Sequence, residues 1–196
     1  DRNWIDLHWL FQITAAKLYT LGGLTLLTAA SATLGTVAVA VMLAARRPGW
    51  SFAWSVASWL PAIFMLSGRL YVRPEVISLV CMAIFLAVLF HAERHGKLLW
   101  TLVPVQVLWA NVQGLFVLGL VLAGAYWAEG FWRRMWGQRN SNLPRRTALG
   151  CALLAASLCN PYGLRGLLFP IELFRKMSWD AEFYSTHIGE LQSIPQ

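Results

Sequence analysis

Apolar runs separated by short polar segments account for most of this chain. Five runs contain no Asp, Glu, Lys or Arg: residues 18–45, 48–68, 76–92, 98–128 and 147–164. A bilayer core about 30 Å thick needs roughly 20 apolar residues of helix to cross it, so runs of this length predict membrane helices. Several are apolar on all sides, which is typical of a membrane helix and not of a surface helix in a soluble domain.

The fourth run carries Asn111, Gln113 and Gly114 near its middle. One straight span would place two amides inside the bilayer, where polar groups are costly. Two helices meeting at residues 111–114 would place them at a turn that lines a protein or water cavity. With that break, the membrane segments are at about 18–45, 49–68, 74–91, 98–110, 114–130 and 146–159. We therefore predict an all-α fold, a polytopic transmembrane helical bundle with about six membrane segments, including short or broken helices.

The basic residues predict the orientation of this bundle. The chain has a formal net charge of +7. If the six segments alternate, nine of the sixteen Lys and Arg residues share short loops on one side: Arg46, Arg47, Arg94, Lys97, Arg133, Arg134, Arg139, Arg145 and Arg146. The positive-inside rule makes that side cytoplasmic. The charge is thus explained by topology, and we predict no nucleic-acid partner.

The composition fits one transmembrane domain over residues 1–196, with 58% hydrophobic residues and eleven Trp. We predict an extracytoplasmic loop at 1–17, membrane helices at 18–164, and an amphipathic interfacial helix followed by an extracytoplasmic loop at 165–196. The first residue is Asp and not Met, so we interpret the chain as a fragment of a longer protein. The three cysteines lie in apolar runs and indicate neither a disulfide framework nor a metal motif.

The remaining polar residues collect on the predicted outer side. They are Asp6, His8, Arg69, Arg73, Glu75, Asn111, Gln113, Asn160 and Tyr162. A carboxylate can act as a general base, an imidazole can orient it or relay its proton, and Arg is a bidentate partner for phosphate. Loops that meet over one cavity would combine these groups.

Each of these residues also has a structural interpretation. Asp6 and His8 would then be solvated loop residues, and the two Arg side chains would reach lipid headgroups. The segment 73–75 also fits a helix start, with Pro in the first position and a carboxylate in the first turn. Segment 160–163 fits a helix stop and turn. Asn111 and Gln113 would satisfy backbone groups freed by the break.

Four motifs in order resemble a known family. They are Asp6-Leu7-His8-Trp9-Leu10-Phe11-Gln12, Arg69-x-x-x-Arg73-Pro74-Glu75, Leu108-Trp109-Ala110-Asn111-Val112-Gln113-Gly114-Leu115-Phe116 and Asn160-Pro161-Tyr162-Gly163. The chain resembles bacterial multi-pass proteins that are similar to the membrane half of GT-C type glycosyltransferases, the class that includes aminoarabinose and protein mannosyl transferases. The resemblance covers nearly the whole chain.

The resemblance implies transfer of a sugar from a polyprenyl-phosphate carrier to an acceptor at the outer face of the bacterial cytoplasmic (inner) membrane. Asp6 would be the base, assisted by His8. Substrate-binding residues would be Arg69 and Arg73 near the lipid phosphate, with Glu75, Asn111, Gln113, Asn160 and Tyr162. The implied partners are membrane lipid and the polyprenyl-phosphate sugar donor, and the sequence carries no information on oligomeric state.

The chain departs from the family at the acidic loop. Many such enzymes carry two acids close together there, whereas this chain has Asp6-Leu7-His8. A divalent metal therefore stays an open alternative, and we assign it no ligand. The alternative function is a non-enzymatic membrane carrier or a scaffold subunit for cell-envelope assembly.

Overall fold

The structure is a computed structural model that describes residues 5–45, 51, 53, 54, 57, 72–93, 96–137 and 142–179. These residues form six α-helices and no strand: α1 Trp9–Ala44, α2 Glu75–His91, α3 Leu102–Val112, α4 Val117–Met135, α5 Leu143–Ser157 and α6 Leu164–Trp179. Short 3₁₀ helices at Gly96–Thr101 and Gly114–Phe116 precede α3 and α4. The predicted all-α class is confirmed for this part of the chain. The predicted segment at 49–68 lies almost wholly outside the described residues.

Two helical stretches are long and apolar enough to cross a membrane. They are Trp9–Ala44, with 36 residues, and Gly114–Met135, with 22 residues. Helix α2 is apolar but has 17 residues. Helix α3 has 11 residues, which at 1.5 Å per residue is about 16 Å, roughly half the thickness of a bilayer core. Of the predicted membrane segments, two therefore meet the length and apolarity of a span in the described part of the chain.

The break at residues 111–114 is confirmed. Helix α3 ends at Val112, Gln113 is extended (φ −163°, ψ 140°), and the next helical turn starts at Gly114. The side-chain amide of Gln106 reaches the carbonyl of Phe116 at 3.1 Å, and a Cβ at Gly119 would collide with the same side chain. In one straight helix residues 106 and 119 would be about 20 Å apart, so the chain folds back at the break.

Helix α1 starts earlier than predicted. The predicted membrane segment began at residue 18, directly after Lys17, with a loop before it. In the structure the helix begins at Trp9 and continues past Lys17. One Lys near a helix end can extend its ammonium group towards water, so it does not mark a helix boundary. The helix is interrupted instead at Gly22 and Gly23, whose backbone angles are not helical. Gly23 has φ 62°, a conformation that glycine adopts without steric cost.

The core lies where α2, α3, α4 and α5 meet. Trp109, Phe85 and Phe116 are its largest fully buried side chains. The rings of Phe85 and Trp109 pack edge to face with centroids 5.7 Å apart, a favoured aromatic geometry. The Trp109 indole donates to the Ser78 hydroxyl at 2.9 Å, which leaves no unpaired polar atom on this large side chain.

The helices α2 to α5 alternate in direction, so the described bundle has two distinct ends. One end holds the start of α1 and α2, the break after α3 and the turn after α5; we name it the polar end. The other end holds residues 92, 93 and 96–101, the end of α4 and the start of α5; we name it the basic end. An ion pair at 2.9 Å between Glu93 and Arg133 joins two of these segments. The predicted grouping at one end is therefore correct for the described residues Lys97, Arg133, Arg134, Arg145 and Arg146, whereas Arg94 and Arg139 lie outside the described part of the chain.

Candidate functional site

Asp6 organises the turn that precedes α1. One carboxylate oxygen of Asp6 accepts a hydrogen bond from the backbone N–H of His8 at 2.8 Å, as Asp commonly does in a turn. The same oxygen lies 3.7 Å from Nδ1 of His8. The turn brings the carboxylate and the imidazole together, because the carboxylate bonds to the backbone of residue 8.

Asn111 joins three segments at the break. Its Nδ2 donates to the carbonyls of Val107 and Cys159, both at 2.8 Å. Its Oδ1 accepts from the indole N–H of Trp9 at 3.3 Å. The amide thus ties the end of α3 to the start of α1 and to the segment after α5. Every one of these bonds serves the fold, which agrees with the structural interpretation of Asn111.

Gln113 and Asn160 have similar local roles. The Gln113 Oε1 accepts from the backbone N–H of Leu115 at 2.9 Å and caps the 3₁₀ helix after the break. Asn160 accepts from the N–H of Tyr162 at 2.8 Å and donates to the carbonyls of Ser157 and Gly163. Gly163 has φ 53°. The predicted helix stop and turn at 160–163 is confirmed.

Tyr162 connects this turn to Asp6. Its hydroxyl accepts the backbone N–H of Asp6 at 3.2 Å, across 156 positions in the chain. Asp6, His8, Asn111, Gln113, Asn160 and Tyr162 therefore lie together, and we name these six residues the polar cluster. The structure brings together six of the nine side chains that the sequence singled out.

Arg73 and Glu75 lie at the same end of the bundle. Helix α2 begins at Glu75 with Pro74 as its N-cap, so the predicted helix start is confirmed. Because Ser78 bonds to Trp109, one turn before the end of α3, the start of α2 lies beside the break. Both Arg73 and Glu75 are exposed there. Arg69 lies outside the described residues.

The polar cluster contains one carboxylate and one imidazole that are accessible. The side chain of Asp6 is 23% exposed and that of His8 is 44% exposed. In the described part of the chain no three His, Cys, Asp or Glu side chains are grouped to hold a metal ion. The described residues of the cluster offer one carboxylate and one imidazole as ligands, and we derive no step through a metal.

Helix α6 covers the polar end. Pro170 lies 4.0 Å from a Cβ built at Gly114, which places α6 across the break. Leu167 and Phe169 pack against the core, whereas every residue of 171–176 is exposed, Leu173 and Arg175 included. Arg165, Glu172 and Lys176 share one charged face of the helix. The interfacial position of this helix stays a prediction.

An ion-pair network at the basic end was not predicted from the sequence. Arg146, predicted as a loop charge, lies inside α5, is 4% exposed and pairs with Glu129 of α4. Its guanidinium also bonds to the Tyr126 carbonyl and packs 3.9 Å from the Tyr126 ring centroid. Glu129 pairs in addition with Arg133, four residues on. The Glu129-to-Arg133 spacing was a visible signal, but the Arg146 partner depends on how α4 and α5 pack.

Comparisons with protein-family models, with curated proteins and with solved structures found no match to this chain.

Proposed function

We propose that this protein is a polytopic protein of the bacterial inner membrane and that it transfers a sugar from a polyprenyl-phosphate carrier to an acceptor at the outer face. The observation that carries the proposal is the convergence of Asp6, His8, Asn111 and Tyr162 from three separated segments at one end of the bundle. The resemblance to GT-C type glycosyltransferases rests on the same residues.

The exposure of the apolar helices supports the membrane placement. In the most apolar window, 17% of Trp9–Ala44 and 22% of Gly114–Met135 is buried inside the protein. A core helix of a soluble protein would be mostly buried, whereas apolar side chains in a bilayer can face lipid. We assign the remaining short helices to the membrane as well, because α2, α3 and α5 pack on these two in one bundle. The polar end then faces the extracytoplasmic side.

The reaction requires a base and a stabilised leaving group. In the proposed step the carboxylate of Asp6 accepts the proton of the acceptor hydroxyl, and the acceptor oxygen attacks the anomeric carbon of the sugar. The bond between that carbon and the phosphate oxygen breaks, with inversion, and polyprenyl phosphate leaves. His8 holds the carboxylate, and Arg73, with Arg69 as predicted from the sequence, stabilises the phosphate. Electrostatic stabilisation of that anion should be the largest contribution to the rate.

The variant Asp6→Asn tests this step. Asn keeps the side-chain oxygen that accepts the N–H of His8, so the turn before α1 should persist while the base is lost. We expect sugar transfer by the full-length protein to fall by about 100-fold or more, with an unchanged thermal midpoint. The matched control is Gln12→Ala, an exposed change one turn into α1, which should alter neither. Wild-type turnover in Asp6→Asn would reject Asp6 as the base and make Glu190, which lies outside the described residues, the next candidate. No transfer by the unmodified protein would favour the scaffold function.

A labelling experiment tests the orientation. In a protein without its native cysteines, a thiol at position 138, between α4 and α5, should resist an impermeant reagent in intact cells and react after lysis. A thiol at position 165, on the charged face of α6, should react in intact cells. The opposite pattern would place the polar end in the cytoplasm and remove its access to an extracytoplasmic acceptor.

A further inference from the structure

A shallow groove of about 280 Å³ runs between α4 and α5 on the outside of the bundle. Its lining includes Leu120, Gly124 and Trp127 from α4 and Gly150, Cys151 and Leu154 from α5. A Cβ built on Gly124 or Gly150 would meet no atom within 4 Å. The groove is therefore an open, almost wholly apolar channel, which the small residues leave unfilled.

The length and the lining of the groove fit part of one extended hydrocarbon chain. On α4 the groove extends from residue 120 to residue 127, about 10 Å of helix axis, and its lining is almost wholly apolar.

A cation lies in line with the groove. Arg134 follows Trp127 by seven residues, so it is on the same face of α4 about 10 Å nearer the basic end. Phe131, stacked on Trp127 with ring centroids 5.3 Å apart, lies between them. Arg134 is exposed, and no acid of the described chain pairs with it, whereas its neighbour Arg133 pairs with both Glu93 and Glu129. The positive charge on this face is thus available to an anion.

We infer that the groove binds an anionic glycerophospholipid, with one acyl chain between α4 and α5 and the phosphate at Arg134. The exposed Trp132 and Trp136 lie at the same level of α4 as Arg134, on another face of the helix, and aromatic belts mark the level of the lipid headgroups. This inference rests on the membrane placement of α4 and not on sugar transfer. The site is at the opposite end of the bundle from the polar cluster, so the bound lipid would be structural and not the sugar carrier.

Cys151 provides a reporter inside the groove. Cys81 is buried, and Cys151 and Cys159 are exposed. In a Cys159→Ser protein in detergent, the rate of maleimide reaction at Cys151 would be measured with added phosphatidylglycerol or with phosphatidylcholine of the same acyl chains. Phosphatidylglycerol should slow the reaction at an about fivefold lower concentration, the preference expected from one cation near a lipid surface.

Two variants and their matched controls separate the two parts of the site. Arg134→Gln should abolish the preference for phosphatidylglycerol, while Lys97→Gln, which removes an exposed cation from the same end, should keep it. Gly124→Leu fills the groove and should abolish protection by either lipid, and Ala125→Leu, on another exposed face of α4, should not. Equal protection by both lipids in the unmodified groove, or equal loss in Lys97→Gln, would overturn the phosphate site. Protection that depends on protein concentration and not on lipid would assign the groove to a second copy.

Discussion

The two ends of the bundle are held together by different chemistry. At the polar end the contacts between segments run through neutral donors and acceptors: the Asn111 amide, the Trp9 indole and the Tyr162 hydroxyl. At the basic end they run through ion pairs, with Arg146 buried against Glu129. A cluster tied by neutral groups leaves its titratable members, Asp6 and His8, partly exposed. The comparison indicates that the polar end is arranged to keep a carboxylate accessible, and the basic end to keep its acids Glu93 and Glu129 paired.

The strongest test of this comparison removes one charge at the basic end. Glu129→Gln leaves the buried guanidinium of Arg146 without its counter-charge. Because the Glu129 side chain is itself 42% exposed, we expect a loss of about 3 kcal/mol, the lower end of the cost of breaking a buried pair on one side. The free energy of unfolding in detergent would be measured by denaturant titration. Glu93→Gln is the matched control, since the Glu93 side chain is 63% exposed and exposed pairs contribute about 0–1 kcal/mol. Equal losses in the two variants would show that Arg146 is not held by a buried pair.

At the polar end, Asn111→Ala removes the hydrogen bonds to Trp9, Val107 and Cys159. We expect a loss of about 2–3 kcal/mol, because the carbonyls left without partners are partly buried. In contrast to Glu129→Gln, this loss should not depend on salt, since no charge is involved. A strong salt dependence for Asn111→Ala would contradict the assignment of neutral chemistry to this end.

A pair of glycine variants probes the packing of α4 near Arg146. A Cβ at Gly130 would collide with the Arg146 side chain, so Gly130→Ala should destabilise the protein by about 1–3 kcal/mol, the usual cost of overpacking. Gly124 lies in the same helix beside open space, and Gly124→Ala should stabilise it by up to about 1 kcal/mol. Thermal midpoints would show whether each variant is less or more stable than the unmodified protein. A stabilising Gly130→Ala would mean that Arg146 is not packed against α4.

The smallest expected effect is that of Tyr162→Phe. It removes the hydroxyl that accepts the N–H of Asp6, one neutral hydrogen bond worth about 1 kcal/mol. Tyr19→Phe, at a residue 58% exposed on α1, should change nothing. If the turn at Asp6 depends on Tyr162, hydrogen exchange of the Asp6 and His8 amides will be faster in Tyr162→Phe alone. Unchanged hydrogen exchange of these amides in Tyr162→Phe would show that the turn at Asp6 does not depend on Tyr162.

The sequence was sufficient for features that depend on nearest neighbours along the chain. The all-α class, the start of α2 after Pro74, the break at Gln113 and the turn at Asn160 all follow from local preferences, because a Pro, a Gly or a polar pair limits the backbone where it stands. The start of α1 was wrong by nine residues, since Lys17 was given the role of a boundary that its long side chain does not impose.

What the sequence by itself determined is the apolar pattern, the helix breaks and the uneven charge, because each is a property of composition and spacing. Only the tertiary structure decided which polar groups meet. Asp6 and Tyr162 are 156 positions apart, and Arg146 reaches Glu129 only through the packing of α4 on α5. Periodicity shows that a residue faces the core but not which residue faces it there. For that physical reason the partners of Arg146 and Asn111 could be found only in the folded chain.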